Sequence, residues 1–77
     1  MPTVLIINGF RFFFYSNEHM PKYIHIEKAE KTAKFTIDKV ELIKSFGFNA
    51  NDLKQIRNLV EDNKELFIQK WDEFFSN

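Results

Sequence analysis

Hydrophobic and polar residues alternate along the first half of the chain, which is typical of β-strands with one face buried. Residues 4–7 and 10–15 flank the dipeptide Asn8-Gly9, which readily adopts the positive φ angles of a tight hairpin turn. A two-residue turn sets Ile7 opposite Phe10 and fixes the faces of the ribbon. One face is predicted to carry Leu5, Ile7, Phe10, Phe12 and Phe14, and the other Val4, Ile6, Arg11, Phe13 and Tyr15.

Two further alternating segments, residues 23–28 and 33–38, predict a third and a fourth strand, with a polar turn at residues 29–32. The side chains expected to share one face are Ile24, Ile26, Phe35 and Ile37. No connection between these strands is long enough for a parallel crossover. The pattern therefore predicts a four-stranded antiparallel meander.

The C-terminal part of the chain has the periodicity of an amphipathic helix. Asn49 and Asp52 form a cap pattern at its start, and Phe48 and Leu53 are spaced as a hydrophobic staple. The apolar stripe consists of Leu53, Ile56, Val60, Phe67, Trp71 and Phe74. Residues 61–64 can divide it into two consecutive helices. We thus expect one α+β domain over residues 1–77, with a sheet (1–38), a connector (39–48) and a helical region (49–75) packed on one face.

Aromatic residues make up 17% of the chain, and ten of them are Phe. The hairpin is apolar on both faces, whereas the helical region can cover only one. We therefore expect an aromatic second face, opposite the helices, that is available to a partner.

Charge and composition narrow the classes of function. The chain has eleven basic and eleven acidic residues, so its net charge does not favour broad electrostatic capture of nucleic acid. Cys is absent, which excludes disulfides and thiolate metal sites and fits a reducing compartment. The start MPTVLIINGF lacks the features of a signal peptide, and no run is long enough for a membrane span. We expect a soluble, cytoplasmic protein.

Four stretches, MPT, GFRFFFYSNEH, PKYIHIE and NKELFIQKW, together resemble an uncharacterised family of short bacterial proteins, the domain of unknown function DUF4160. The family pattern is matched at Glu18, His19, Pro21, His25 and Trp71. It is not matched at Lys22, which replaces a proline, or at Tyr23, which replaces a histidine. The resemblance implies a gene that often stands beside another small gene, as in toxin-antitoxin pairs, and it implies no established activity.

The two histidines have three interpretations. A metal site would use His19 and His25 with Glu18 or Glu27, but the family's third histidine is Tyr23 here, which weakens this reading. We predict no cofactor. A ribonuclease-like site would use His19 or His25 as general acid or base, because imidazole titrates near neutral pH, with Arg11, Lys22 or Lys34 stabilising phosphate charge. Alternatively, His19 orders the proline loop and His25 is a half-exposed sheet residue.

The aromatic second face also has two functional interpretations. Its candidate binding residues are Arg11, Phe13, Tyr15, Tyr23, His25 and Lys34. Such a face can bind a protein, either a second copy in a homodimer or the product of the adjacent gene, or it can stack unpaired RNA bases. We favour a small binding module of a toxin-antitoxin-like pair. The alternative is a His-dependent ribonuclease-like toxin or an RNA-binding domain, so whether the protein is an enzyme stays open.

Overall fold

The computed structural model of the protein describes residues 3–15 and 21–75. Its sheet consists of β1 (Thr3–Ile7), β2 (Phe10–Phe13), β3 (Tyr23–Lys28), β4 (Lys31–Thr36) and β5 (Leu42–Phe46), each antiparallel to the next in chain order. Two helices follow, α1 (Ala50–Asp62) and α2 (Lys64–Phe75). The predicted α+β meander with helices after the sheet is confirmed, although the sheet has five strands rather than four.

The β1–β2 hairpin turns at Asn8 and Gly9, whose φ angles are 54° and 80°, and Ile7 lies opposite Phe10 as predicted. The register shifts between Thr3 and Leu5, so Thr3 rather than Val4 lies opposite Phe13. This bulge changes the face of Val4, which packs against the core. The predicted position of Val4 on the second face is therefore wrong.

The β3–β4 turn is shorter than predicted. Lys28 lies opposite Lys31, and Ala29 in the turn has a φ of 56°. As a result β4 begins and ends two residues earlier than the alternation indicated. Ile37 is nonetheless buried beyond the end of β4, where its N–H donates to the carbonyl oxygen of Lys22 at 3.0 Å.

The fifth strand, β5, lies within the segment predicted as a connector. Lys34 is opposite Lys44, whereas Phe35 is opposite Leu42, so Ile43 is an additional residue in β5. β5 forms one edge of the sheet, and all five of its residues are exposed.

The helical region consists of two helices. The side chain of Asn49 accepts a hydrogen bond from the backbone N–H of Asp52 at 2.7 Å, as expected for the cap of α1. Asn63 separates the helices: its side-chain amide donates to the Leu59 carbonyl oxygen, and its own carbonyl accepts from the N–H of Phe67. No helix among the described residues is long and apolar enough to cross a membrane.

The core lies between the helices and one face of the sheet. Its buried members are Phe10, Phe12, Phe14, Ile24, Ile26, Ala33, Phe35, Ile37, Val40, Phe48, Ile56, Val60, Phe67 and Trp71. Phe12 stacks on Phe67 with ring centroids 5.4 Å apart. At the end of α2, Phe75 packs on Trp71, and Phe74, predicted to continue the stripe, is exposed.

Candidate binding face of the sheet

The face of the sheet opposite the helices, which we call the open face, carries two rows of side chains that cross all five strands. The first row is Thr3, Phe13, His25, Lys34 and Lys44, and the second is Ile6, Arg11, Glu27, Thr32 and Phe46. Neighbours within a row lie directly opposite each other on adjacent strands, so their side chains can interact.

Arg11 connects the two rows on the β1–β3 side. Its Nε and one terminal nitrogen donate to Glu27 Oε1 at 3.1 and 2.7 Å, and the other terminal nitrogen donates to Thr3 Oγ1 at 3.1 Å. Its guanidinium carbon also lies 4.0 Å from the centre of the Phe13 ring. Arg11 is thus matched in charge by Glu27 and covers one side of Phe13.

His25 lies in an aromatic cluster at the centre of the first row. Its ring centroid is 5.6 Å from that of Phe13 and 4.1 Å from that of Tyr15. His25 is only 7% exposed and Phe13 only 4%, whereas Tyr15 is 45% exposed. Tyr15 is therefore the member of this cluster that a partner can reach.

The β4–β5 side of the open face is basic. Lys34 and Lys44 lie directly opposite each other, and Lys34 Nζ is 4.0 Å from the centre of the Tyr23 ring. A shallow depression of about 260 Å³ lies here, lined by Tyr15, His25, Thr32, Ala33, Lys34 and Lys44. Within residues 3–15 and 21–75 neither lysine forms an ion pair. The depression thus combines one exposed aromatic ring with two positive charges.

Comparison with known families supplies the classification. The model of a family described as a domain of unknown function, DUF4160, matches residues 9–72. The chain belongs to this family. Neither the curated proteins nor the solved structures include a match. The residues matched by the DUF4160 model extend from the turn before β2 into α2 and include most of the open face. Membership of the family assigns no activity to any of them.

All six binding residues predicted for this DUF4160 chain lie on or beside the open face. Arg11, Phe13 and His25 form its inner, largely covered part, and Tyr23 is half-buried beneath the Lys34 ammonium group. Only Tyr15 among them is exposed by more than a third. The expectation that His25 is half exposed is wrong, because the rings of Phe13 and Tyr15 pack against it.

Lys44 and Phe46 also lie on the open face of this DUF4160 chain, and neither is among the predicted binding residues. Both lie on β5, within the segment for which the sequence predicts a connector. The available signal was the two-residue spacing of Lys44 and Phe46, which places both side chains on one face of any strand formed there.

The proposed roles of Glu18 and His19, catalytic or metal-binding, concern residues outside the described part of this DUF4160 chain. Among residues 3–15 and 21–75, no three His, Cys, Asp or Glu side chains lie close enough together to hold a metal ion.

Proposed function

We propose that the protein is a small binding module that docks an acidic surface of a partner protein onto the depression beside Tyr15, Lys34 and Lys44. The observation that carries this proposal is the direct opposition of two lysines on neighbouring strands next to an exposed tyrosine. Like charges placed opposite each other repel, so an anionic group between them is stabilised.

The charge of the open face supports an acidic partner. Its two rows contain three basic side chains, Arg11, Lys34 and Lys44, and one acidic side chain, Glu27. Because Glu27 is bound to Arg11, the charge that no described residue compensates lies at Lys34 and Lys44. Complementary charge of this kind contributes more to orientation and specificity than to raw affinity.

A protein partner fits the face better than RNA does. Sheets that read single-stranded RNA stack two or three bases on exposed rings. Among the described residues of the open face, Phe13 is buried and Tyr23 lies under Lys34. The two rings exposed by more than a third, Tyr15 after β2 and Phe46 on β5, are separated by β3 and β4, so they do not form one row on which successive bases could stack. The chain also has no net positive charge with which to attract a polyanion.

The ribonuclease-like alternative requires a histidine that a substrate can reach. His25 is 7% exposed and packed between Phe13 and Tyr15, which is poor access for a general acid or base. His19 lies outside the described residues, so the nuclease hypothesis now depends on that histidine.

The partner that we propose is the product of the adjacent gene, in a toxin-antitoxin-like pair. The support for this choice is the resemblance of the sequence to a family whose genes often stand beside another small gene. Protein interfaces are enriched in aromatic residues such as Tyr and are surrounded by a polar, solvent-accessible rim. The depression on the open face has these properties.

The proposal is tested by purifying the protein with the product of the adjacent gene and measuring the affinity by calorimetry. We expect the double variant Lys34→Glu/Lys44→Glu to weaken binding about 100-fold, because two attractive contacts become repulsive. Tyr15→Ala should weaken it about tenfold through lost contact area. The matched control is Lys39→Glu/Lys54→Glu, which changes the net charge equally at exposed positions away from the depression and should have little effect.

Two results would replace this proposal. If the wild-type protein binds a fluorescein-labelled single-stranded oligouridine tightly and the Lys34→Glu/Lys44→Glu variant does not, the face binds RNA. If expression arrests growth and His19→Ala or His25→Ala relieves the arrest with folding intact, the protein acts as a toxin through a histidine. If the protein forms no complex with the product of the adjacent gene, that product is ruled out as its partner.

A further inference from the structure

The two edges of the sheet differ in how well they are covered. Three of the five residues of β1 are half-buried, whereas every residue of β5 is exposed. Among the described residues, β5 pairs through its backbone with β4 and with no other element. Just before β5, the carbonyl oxygen of Glu41 accepts a hydrogen bond from the N–H of Thr36 at the end of β4. β5 therefore presents backbone donors and acceptors that can pair with another strand.

Phe46 and Lys44 give this edge a specific character. Phe46 is 70% exposed, more than any other large hydrophobic side chain in the described ranges. Lys44 lies two residues away on the same face, and within the same ranges it contacts no ring and no carboxylate. The exposed ring of Phe46 thus lies beside the ammonium group of Lys44, for which no described residue supplies a ring or a carboxylate.

Cations stacked on rings are a recurrent feature of this protein. Among the described residues four such pairs occur, given with the distance from the cation to the ring centre: Arg11 on Phe13 (4.0 Å), Lys28 on Phe10 (4.8 Å), Lys34 on Tyr23 (4.0 Å) and Arg57 on Phe35 (5.7 Å). Such contacts cover apolar rings with long side chains and leave the charge in place.

We propose that β5 pairs with β5 of a second copy of this chain, antiparallel and about a two-fold axis at Ser45. This register sets Lys44 of each copy opposite Phe46 of the other, so each cation meets a ring, and it sets Ser45 opposite Ser45 of the second copy. An axis at Lys44 would instead place two lysines opposite each other, which repel. The self-complementary spacing of Lys44 and Phe46 therefore selects both the occupant and the register.

The size of this contact determines its strength. Ile43 is the extra residue of the β4–β5 register, and Gly47 has a φ of 88° that ends the strand, so the ladder between copies is centred on three residue pairs. A contact this short is small beside ordinary dimer interfaces, and the dimer is therefore concentration-dependent. The axis keeps both open faces on one side of the joined sheet. Lys44, which lines the depression, also contacts Phe46 of the second copy, whereas Tyr15 and Lys34 lie outside β5. The inference does not rest on the proposed function, although both use Lys44.

Light scattering on the chain alone tests the dimer. Over about 10 µM to 1 mM, the wild-type mass is expected to rise from 9.3 kDa toward twice that value. Phe46→Glu gives Lys44 of the second copy an opposite charge, whereas Phe46→Lys gives it a like charge. We expect the Phe46→Glu variant to dimerise about tenfold more tightly than Phe46→Lys, because two pairs change from attraction to repulsion. Equal effects of both variants would overturn the register.

Disulfide trapping tests the position of the axis. The chain contains no cysteine, so Ser45→Cys introduces a single thiol. A two-fold axis at this position places that thiol beside the same thiol of the second copy, where a disulfide can form. Under air oxidation we expect this variant to form a covalent dimer at least tenfold faster than Asn58→Cys, an exposed control on α1. Thermal melts confirm that each variant is folded. A wild-type protein that stays monomeric to 1 mM, with Ser45→Cys no faster than the control, would overturn the proposal and leave partner binding at the depression untouched.

Discussion

The two faces of the sheet both bury phenylalanines, but they do so by different means. On the covered face, Phe12 is enclosed by side chains of the helices and stacks on Phe67. On the open face, Phe13 is almost as well buried, at 4% exposure, yet its ring contacts the guanidinium of Arg11 and the rings of Tyr15 and His25. The side chains of Arg11, Tyr15 and His25 thus exclude solvent from a phenylalanine ring that no helix covers.

On the open face, the apolar side chains are shielded from solvent at the centre and exposed at the two edge strands. Its second row ends in Ile6 on β1 and Phe46 on β5, which are 66% and 70% exposed. Residues on an edge strand have a neighbouring strand on one side only, so fewer side chains can cover them. Accessible apolar surface on the open face therefore lies at Tyr15 and at the sheet edges rather than across the whole face.

The largest effect in this comparison is expected on the covered face. Phe12→Ala should lower the free energy of unfolding by about 3 to 5 kcal/mol, because the ring is fully buried and its removal leaves a cavity against Phe67. Urea denaturation followed by fluorescence of Trp71 measures this change.

Two companion variants keep that experiment interpretable in a small domain. Ile24→Val removes one methylene group from the same core and should cost about 0.5 to 1.5 kcal/mol, so it stays measurable if Phe12→Ala does not fold. Phe46→Ala, at an exposed edge, should change stability by about 0.5 kcal/mol or less in dilute solution. Similar losses for Phe12→Ala and Phe46→Ala would contradict the assignment of the core.

The next effect measures how well the open face is closed. Phe13→Ala should cost about 2 to 3 kcal/mol, less than Phe12→Ala, because the side chains around Phe13 can relax into solvent. Tyr15→Ala, at 45% exposure, should cost clearly less. A cost below about 1 kcal/mol for Phe13→Ala would show that its ring is accessible in solution, and a direct role in binding would then be restored to it.

Local chemistry made much of the covered face predictable. Asn8-Gly9 fixed the hairpin because both residues adopt positive φ, and Asn49 fixed the start of α1 because its side chain accepts the N–H of Asp52. Alternation then assigned Phe10, Phe12 and Ile24 to the core face. Each of these signals comes from residues close together in sequence.

Bulges account for the main errors. In β5 the additional residue Ile43 places two apolar residues, Leu42 and Ile43, in succession and interrupts the alternation, so the pattern predicts a connector where the structure has a strand. At β1 the register shift moves Val4 from the face expected for it to the core and leaves Thr3 opposite Phe13. A bulge depends on pairing with a neighbouring strand, which alternation within one segment does not describe.

The sequence predicts most of the residues that form the candidate site, but it does not predict how exposed each of them is. Alternation places Arg11, Phe13 and His25 on the open face, but their burial depends on contacts between strands that are distant in sequence. The basic side of the face was missed because Lys44 is on β5. The sequence therefore indicated which residues share the face and left open which of them a partner can reach.

A smaller effect than that of Phe13→Ala tests whether Arg11 stabilises the open face through its charge. Arg11→Met and Glu27→Gln, combined in a double-mutant cycle, isolate the energy of their ion pair from the contact between Arg11 and Phe13. The two side chains are 26% and 41% exposed, so solvent screens the pair, and we expect a coupling of about 0.5 to 1 kcal/mol that decreases in 1 M NaCl. A coupling above about 2 kcal/mol would mean that the face is as closed as the core. A value near zero would mean that Arg11 is kept in place by its contacts with Phe13 and Thr3 rather than by the ion pair.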